Sequence, residues 1–306
     1  MSREQEVLRR SIFVTFIIAG IGVGFGVVSG SSSVIFDGIY SLTDASMTVL
    51  TLLVARLIAA GGVGRHSKLT ERFNMGFWHL EPIVLGLNGS MLMGAAIYAL
   101  ITSIGSLLSG GHDLEFGWAI LYAAIVVVAG CIMANYGHRA NRSIGSNFLV
   151  LDVKAWIMAS AMTGALLVAF IFGWLIQGTA LEWMSPYIDP VALMVISTAV
   201  IPIPFSTVKQ ALADILLVTP PDLRQHVDEI ALRQVEKYGF LSHRAYVARV
   251  GRGRQIEIYF IVPTGGAPRR LEEWDRIRDE IGEEIGGEGP DRWLTIAFTT
   301  DRAWAE

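Results

Sequence analysis

Asp37 and Asp44 stand inside a long apolar run, SGSSSVIFDGIYSLTDASMTVLTLLVAR, residues 29–56. Seven positions separate them, which is two helical turns, so both fall on one side of a helix with Tyr40 and Ser41 between them. A charged side chain in a membrane-crossing segment costs roughly 2.5–3.5 kcal/mol on insertion scales, which drives it to the bundle interior or a water-filled path. The pair therefore marks an ion or proton site, unless one of them sits near the helix end and merely caps or solvates it. A second polar set opens a later run, SNFLVLDVKAWIMASAMTGALLVAF. There Asp152 and Trp156 share a face at i,i+4 while Lys154 points elsewhere. Lys154 either snorkels to the membrane surface or pairs with an aspartate of the earlier run. The nearby Met158 and Met162 read as packing rather than as soft-metal ligands.

These residues need apolar elements to hold them, and the composition supplies them. The chain has 306 residues, 52% hydrophobic and 17% charged, with a mean hydropathy of +0.49, too apolar for an ordinary soluble domain of this size. A formal charge of −4 says little about partners, and the single cysteine, Cys131, excludes a disulfide framework. Six segments are long enough to cross a hydrocarbon core, near residues 11–30, 33–56, 82–108, 115–137, 148–176 and 187–213. Lys and Arg fall in alternate connections: Arg3, Arg9 and Arg10 before the first, Arg65, Lys68 and Arg72 after the second, Arg139 and Arg142 after the fourth. The other three connections carry none, which predicts a multi-pass protein of the cell inner (plasma) membrane with both termini cytoplasmic. The first run is long and followed at once by a second, so it reads as a retained helix and not a signal peptide.

Within this frame the glycines Gly20, Gly22, Gly24, Gly26 and Gly30 make a small-residue face for close helix approach. Glu81 followed by Pro82 suits a helix start. The sixth segment opens on Tyr187, Asp189 and Pro190, and Pro202 and Pro204 predict a kink or break within it. The expected division is a membrane domain over 1–213, a linker over 214–221 and a charged domain over 222–306. That last stretch reads helix, strand, strand, helix, strand, an α+β unit with a basic cluster of Arg244, Arg249, Arg252 and Arg254. The cluster reads as a solvated strand edge rather than a nucleic-acid or lipid patch, because acidic residues crowd the neighbouring helix. No catalytic dyad, nucleophile motif or phosphate loop is present, so an enzyme is not expected.

SSSVIFDGIYSLTD, MGFWHLEP, LDVKAW, YIDP and the exit ALADILLVTPPD, in this order and spacing, resemble the cation diffusion facilitator family of metal transporters over nearly the whole chain. The resemblance implies a membrane all-α six-helix bundle with a C-terminal cytoplasmic α+β (αββαβ, metallochaperone-like) domain. It also implies a homodimer in the lipid bilayer, exporting a divalent metal cation as substrate in exchange for protons, with no tightly bound cofactor and no nucleic acid. The family places two ligands four residues apart on helix two and two more on helix five. Here those positions fall on Tyr40 and Asp44, and on Ala155 and Ala159, so only Asp44 is an ordinary ligand. All six histidines lie outside or at the ends of the spans, which argues against a zinc site of the usual type. In the second-to-third connection the family's peripheral ligand positions fall mainly on Phe73 and Phe77. His243 matches a ligand position of the C-terminal domain, but its partner positions fall near Tyr259 and Phe298.

Three readings follow. In one, an ion sits near Asp44 with Asp37, Ser41 or Asp152 adding oxygen ligands, a set suited to hard ions such as Mn or Mg. In another, Lys154 takes the place of the metal, pairs with Asp44, and the protein is a proton-linked carrier of some other solute. In the third, transport is lost and the protein is a membrane partner or scaffold.

Overall fold

The computed structural model describes residues 3–61, 77–144, 147–289 and 291–306. Arg65, Lys68, Arg72 and Phe73 of the second-to-third connection lie outside them. Six long helical segments appear in the apolar part: α1 (Arg3–Ser29), α2 (Ser32–Gly61), α3 (Leu80–Leu108), α4 (Phe116–Ile144), α5 (Asn147–Ile176) and a broken sixth. Among the described residues, five stretches are long and apolar enough to cross a membrane by length and composition: Glu6–Ser29, Leu80–Leu108, Phe116–Ser143, Asp152–Ile176 and Glu182–Ile215. Helix α2, 30 residues long, carries Asp37 and Asp44.

Several helices outrun the apolar spans by one or two turns, because a helix ends where its backbone is capped and not where hydropathy falls. Thus α1 begins in the charged N-terminal stretch, where Arg10 pairs with Glu6 one turn earlier at 2.5 Å and donates to the Tyr136 hydroxyl at 3.0 Å. The sixth segment breaks as its prolines predict. Helix α6 (Ser185–Val200) ends in a turn over 201–204, and α7 (Phe205–Ile215) resumes after Pro204.

By contacts, the chain divides into two compact units: Met1–Leu52 with Leu87–Val208, and Leu53–Gly86 with Lys209–Glu306. In the first, the glycine face of α1 meets α2. A Cβ on Gly38 would lie 2.7 Å from the Val23 amide nitrogen, and one on Gly22 would lie 2.6 Å from the Tyr122 hydroxyl and 3.0 Å from Gly38 Cα. Gly20 and Gly24 face open space, so only part of the expected small-residue face is used. This close approach brings the backbones together and lets Tyr122, 1% exposed, reach across to α2.

The second unit holds the α+β fold. Helix α8 (Pro221–Tyr238) leads into β1 (Ser242–Val250) and β2 (Gly253–Ile261), an antiparallel hairpin. Then α9 (Leu271–Ile285) crosses over to β3 (Arg292–Thr299), which pairs with β2 in parallel. Val227, Ile230, Ile256, Ile258, Phe260, Ile277 and Ile281 close one core between the sheet and its two helices. The hairpin turn is built on Gly251, at φ +61°, and lies against the start of α3: a Cβ on Gly253 would meet the Trp78 ring at 2.6 Å. Arg252 donates there to both oxygens of Glu81, through Nε at 2.9 Å and a terminal nitrogen at 3.3 Å, a two-pronged pair. The rest of the basic cluster also disperses: Arg249 is 3.9 Å from Asp222, and Arg254 donates to the Gly287 carbonyl at 3.4 Å.

The two kinds of glycine make a paired test. Gly38→Ala should lower stability by about 1–3 kcal/mol, since the methyl meets backbone that must shift. Gly24→Ala should be neutral or stabilising by about 0.5–1 kcal/mol, since a helix prefers alanine. Thermal unfolding of the two purified variants in one detergent checks the contrast.

Candidate ion site

Helix α2 takes its position from a carboxylate on another helix. Asp189 of α6 is 1% exposed and receives the Ser31 hydroxyl at 2.5 Å and the Ser32 amide at 2.9 Å, while the Ser33 hydroxyl donates to its backbone carbonyl at 3.0 Å. The first amides of a helix lack partners within it and carry the positive end of its dipole, so a buried carboxylate satisfies both needs. His112, in the connection before α4, lies 3.2 Å from the same carboxylate, and its other ring nitrogen meets the Ser106 hydroxyl at 3.1 Å. The Asp189 carboxylate beside His112 holds its pKa above the ordinary value of 6.5, against the opposing effect of burial. Sequence reasoning singled out Asp189 only as the opening of a segment and left His112 unassigned. The signal for the first is an acid beside a proline near the start of an apolar run, although the helix itself begins at Ser185 and holds Pro190 inside it; for the second none exists, because its partner lies far along the chain.

Hung from this cap, the two aspartates of α2 meet different helices. Asp37 lies inside α2, not at its end, and accepts from the Tyr122 hydroxyl of α4 at 2.8 Å and the Thr163 hydroxyl of α5 at 3.3 Å. Beside it is a cavity of about 10 Å³, the room of one water, lined among others by Ser33, Tyr40 and Met162. Asp44, two turns on, is hydrogen-bonded by the side chain of Asn88 on α3. Tyr40 stands one turn before Asp44, within range of its charge, with its ring 5.6 Å from that of Phe36. Ser41, half-buried, lies three positions before Asp44 on the same helix.

Asp152 joins a third cluster. The Ser11 hydroxyl of α1 donates to it at 2.7 Å and itself accepts from the Trp156 indole nitrogen at 2.7 Å, which ties α1 to α5. Lys154 is exposed on α5 and makes no ion pair among the described residues, so the pairing with Asp44 is not formed. The three membrane carboxylates thus have three separate sets of partners. Among the described residues no group of three or more His, Cys, Asp and Glu side chains could hold a metal. In the C-terminal unit, the His243 ring lies 3.3 Å from Asp228 and 6.5 Å from the Phe260 ring, a polar contact and a ring contact rather than a ligand set. The arrangement offers one carboxylate with a neutral amide and nearby hydroxyls, chemistry that compensates a hard cation or a proton and suits soft metals poorly.

Comparison with known proteins matches residues 8–216 to the family model described as the cation efflux transmembrane domain. The chain is 23% identical over 179 residues to "Magnetosome protein MamB" of Magnetospirillum gryphiswaldense, covering 57% of this chain and 58% of that protein. It is 22% identical over 131 residues to "Magnetosome protein MamB" of Magnetospira sp., covering 43% and 42%. The chain spans about half the length of these curated relatives.

The cap predicts a pH dependence. Because folding raises the His112 pKa, its contribution to stability is full below about pH 6.5 and is lost as pH rises through the folded value. Asp189, Asp113 and the Gly30 backbone are the groups that favour its charged form. The difference in melting temperature between wild type and His112→Gln should therefore be largest near pH 6 and shrink toward pH 9; a constant difference over that range would contradict the assignment.

Proposed function

This chain belongs to the cation efflux family, the cation diffusion facilitators, whose members are transporters and not enzymes, and on that premise we propose that it exports a divalent cation in exchange for protons, with Asp44 at the site. The observation that carries the reading is an aspartate of α2, inside the stretch matched to the cation efflux transmembrane domain, whose partner is a neutral amide and to which, among the described residues, no cationic side chain is paired. Such a carboxylate is costly unless a cation or a proton neutralises it. The two compete: a bound cation compensates the charge, and protonation removes the reason for the cation to stay. Asp37, two turns along α2 beside the one-water cavity, is the next oxygen station on the path, and Asp152 holds α1 to α5.

In alternating access α2 and α5 tilt against the rest of the bundle and expose Asp44 to one side at a time. The oxygen character of the site favours Mn or Mg over zinc. The protein works as a homodimer in the plasma membrane with both termini in the cytoplasm, an orientation supported by the alternation of basic connections.

Purified protein in sealed liposomes with a pH-sensitive dye inside, given Mn, Zn, Fe, Co, Cd or Mg outside, tests this. A proton signal should appear for a hard divalent ion and fall to the level of empty liposomes in Asp44→Ala. Silence of the folded wild type for every metal would remove the exchanger reading and leave a non-metal carrier or a scaffold.

A further inference from the structure

Helix α3 contains one carboxamide, Asn88, and no charged residue after Glu81. Its Oδ1 is buried and has no hydrogen-bond partner, while its amide serves the Asp44 carboxylate of α2. An ionised carboxylate only accepts, so the amide must turn its NH2 towards Asp44 and leave its carbonyl oxygen spare. A buried acceptor left unmade costs about 1–3 kcal/mol and calls for an explanation. The next residue shows that α3 is held closely: a Cβ on Gly89 would meet Val208 at 2.6 Å and Pro204 at 3.5 Å, so α3 presses on the break between α6 and α7. Asn88 therefore carries an unused hard oxygen next to the one carboxylate proposed to carry charge, and a turn of its amide group about the Cβ–Cγ bond points that oxygen at Asp44.

We propose that Asn88 Oδ1 is a ligand of the transported cation, which is then held between α2 and α3 by the Asp44 carboxylate and the Asn88 carbonyl oxygen. The inference rests on the reading that Asp44 binds the ion. A carboxylate with neutral carbonyl and hydroxyl oxygens is the donor set of Mn, Mg and Ca, which take carboxamide oxygens readily. It also answers the missing acidic cluster: where no three acidic or His/Cys groups converge among the described residues, neutral oxygens must complete the shell.

The test is Mn²⁺ binding to the purified full chain in nanodiscs, followed by the loss of the free Mn²⁺ spectrum in electron paramagnetic resonance, for wild type, Asn88→Leu, Asn88→Asp and Asp44→Asn. Asn88→Leu should weaken Mn²⁺ binding by about 10- to 100-fold, while Asn88→Asp, which keeps an oxygen in place, should bind at least as tightly as wild type. Asn88→Leu within twofold to threefold of wild type, with Asp44→Asn abolishing binding, would overturn the Asn88 assignment and leave the Asp44 reading standing. Asp44→Asn binding like wild type would overturn both. If Asn88→Leu does not fold, weaker Mn²⁺ binding by folded Asn88→Asp overturns the assignment on its own.

Discussion

The carboxylate of Asp189 fixes where α2 begins, and the polar face of the bundle is measured from there. Three consecutive serines, Ser31, Ser32 and Ser33, converge on it, and the site is 1% exposed. Ser31, Ser33 and Asp189 are closed off from solvent, so an unpartnered start of α2 would leave buried amides unsatisfied at a cost of about 1–3 kcal/mol each. One acid supplied by α6 removes that cost and sets the rotation of α2. With the rotation set, Asp37 turns to Tyr122 and Thr163 and Asp44 to Asn88.

Close backbone approach is the second condition. Tyr122 reaches Asp37 only because Gly22 and Gly38 leave room where α1 and α2 touch. Any side chain at either position would displace the hydroxyl or the helix. The glycines therefore act through a hydrogen bond they do not make, and a change at Gly22 would be felt at the carboxylate.

The C-terminal unit is held by different means. Its core carries aromatic rings in contact, Phe240, Phe260, Phe298 and Trp274, with Trp274 and Phe298 centroids 4.5 Å apart. Phe298 stands near a position where the family resemblance expects a metal ligand, and here it packs against Phe260 and Trp274. Apolar burial and ring contacts close this core. The Arg252–Glu81 pair and the Trp78 ring against Gly253 join the hairpin turn to the start of α3 within this unit.

Hydropathy located six apolar segments, of which five are long and apolar enough to cross a membrane among the described residues, with α2 not among them; the prolines located the break in the sixth because proline cannot continue a helix ladder. The alternation of the last 85 or so residues was equally legible, since strand and helix periods differ. The i,i+7 spacing placed Asp37 and Asp44 on one side of α2, but not what each would face, which depends on helices up to 126 residues away in the chain. Spacing likewise left Lys154 open between snorkelling and pairing, and only the rotation of α5 put it on the exposed side. Asn88 and His112 gave no local sign at all. Their roles arise where separate helices meet, and a side chain's partners across a helix interface are set by rotation and close packing, which the periodicity of a single segment does not contain.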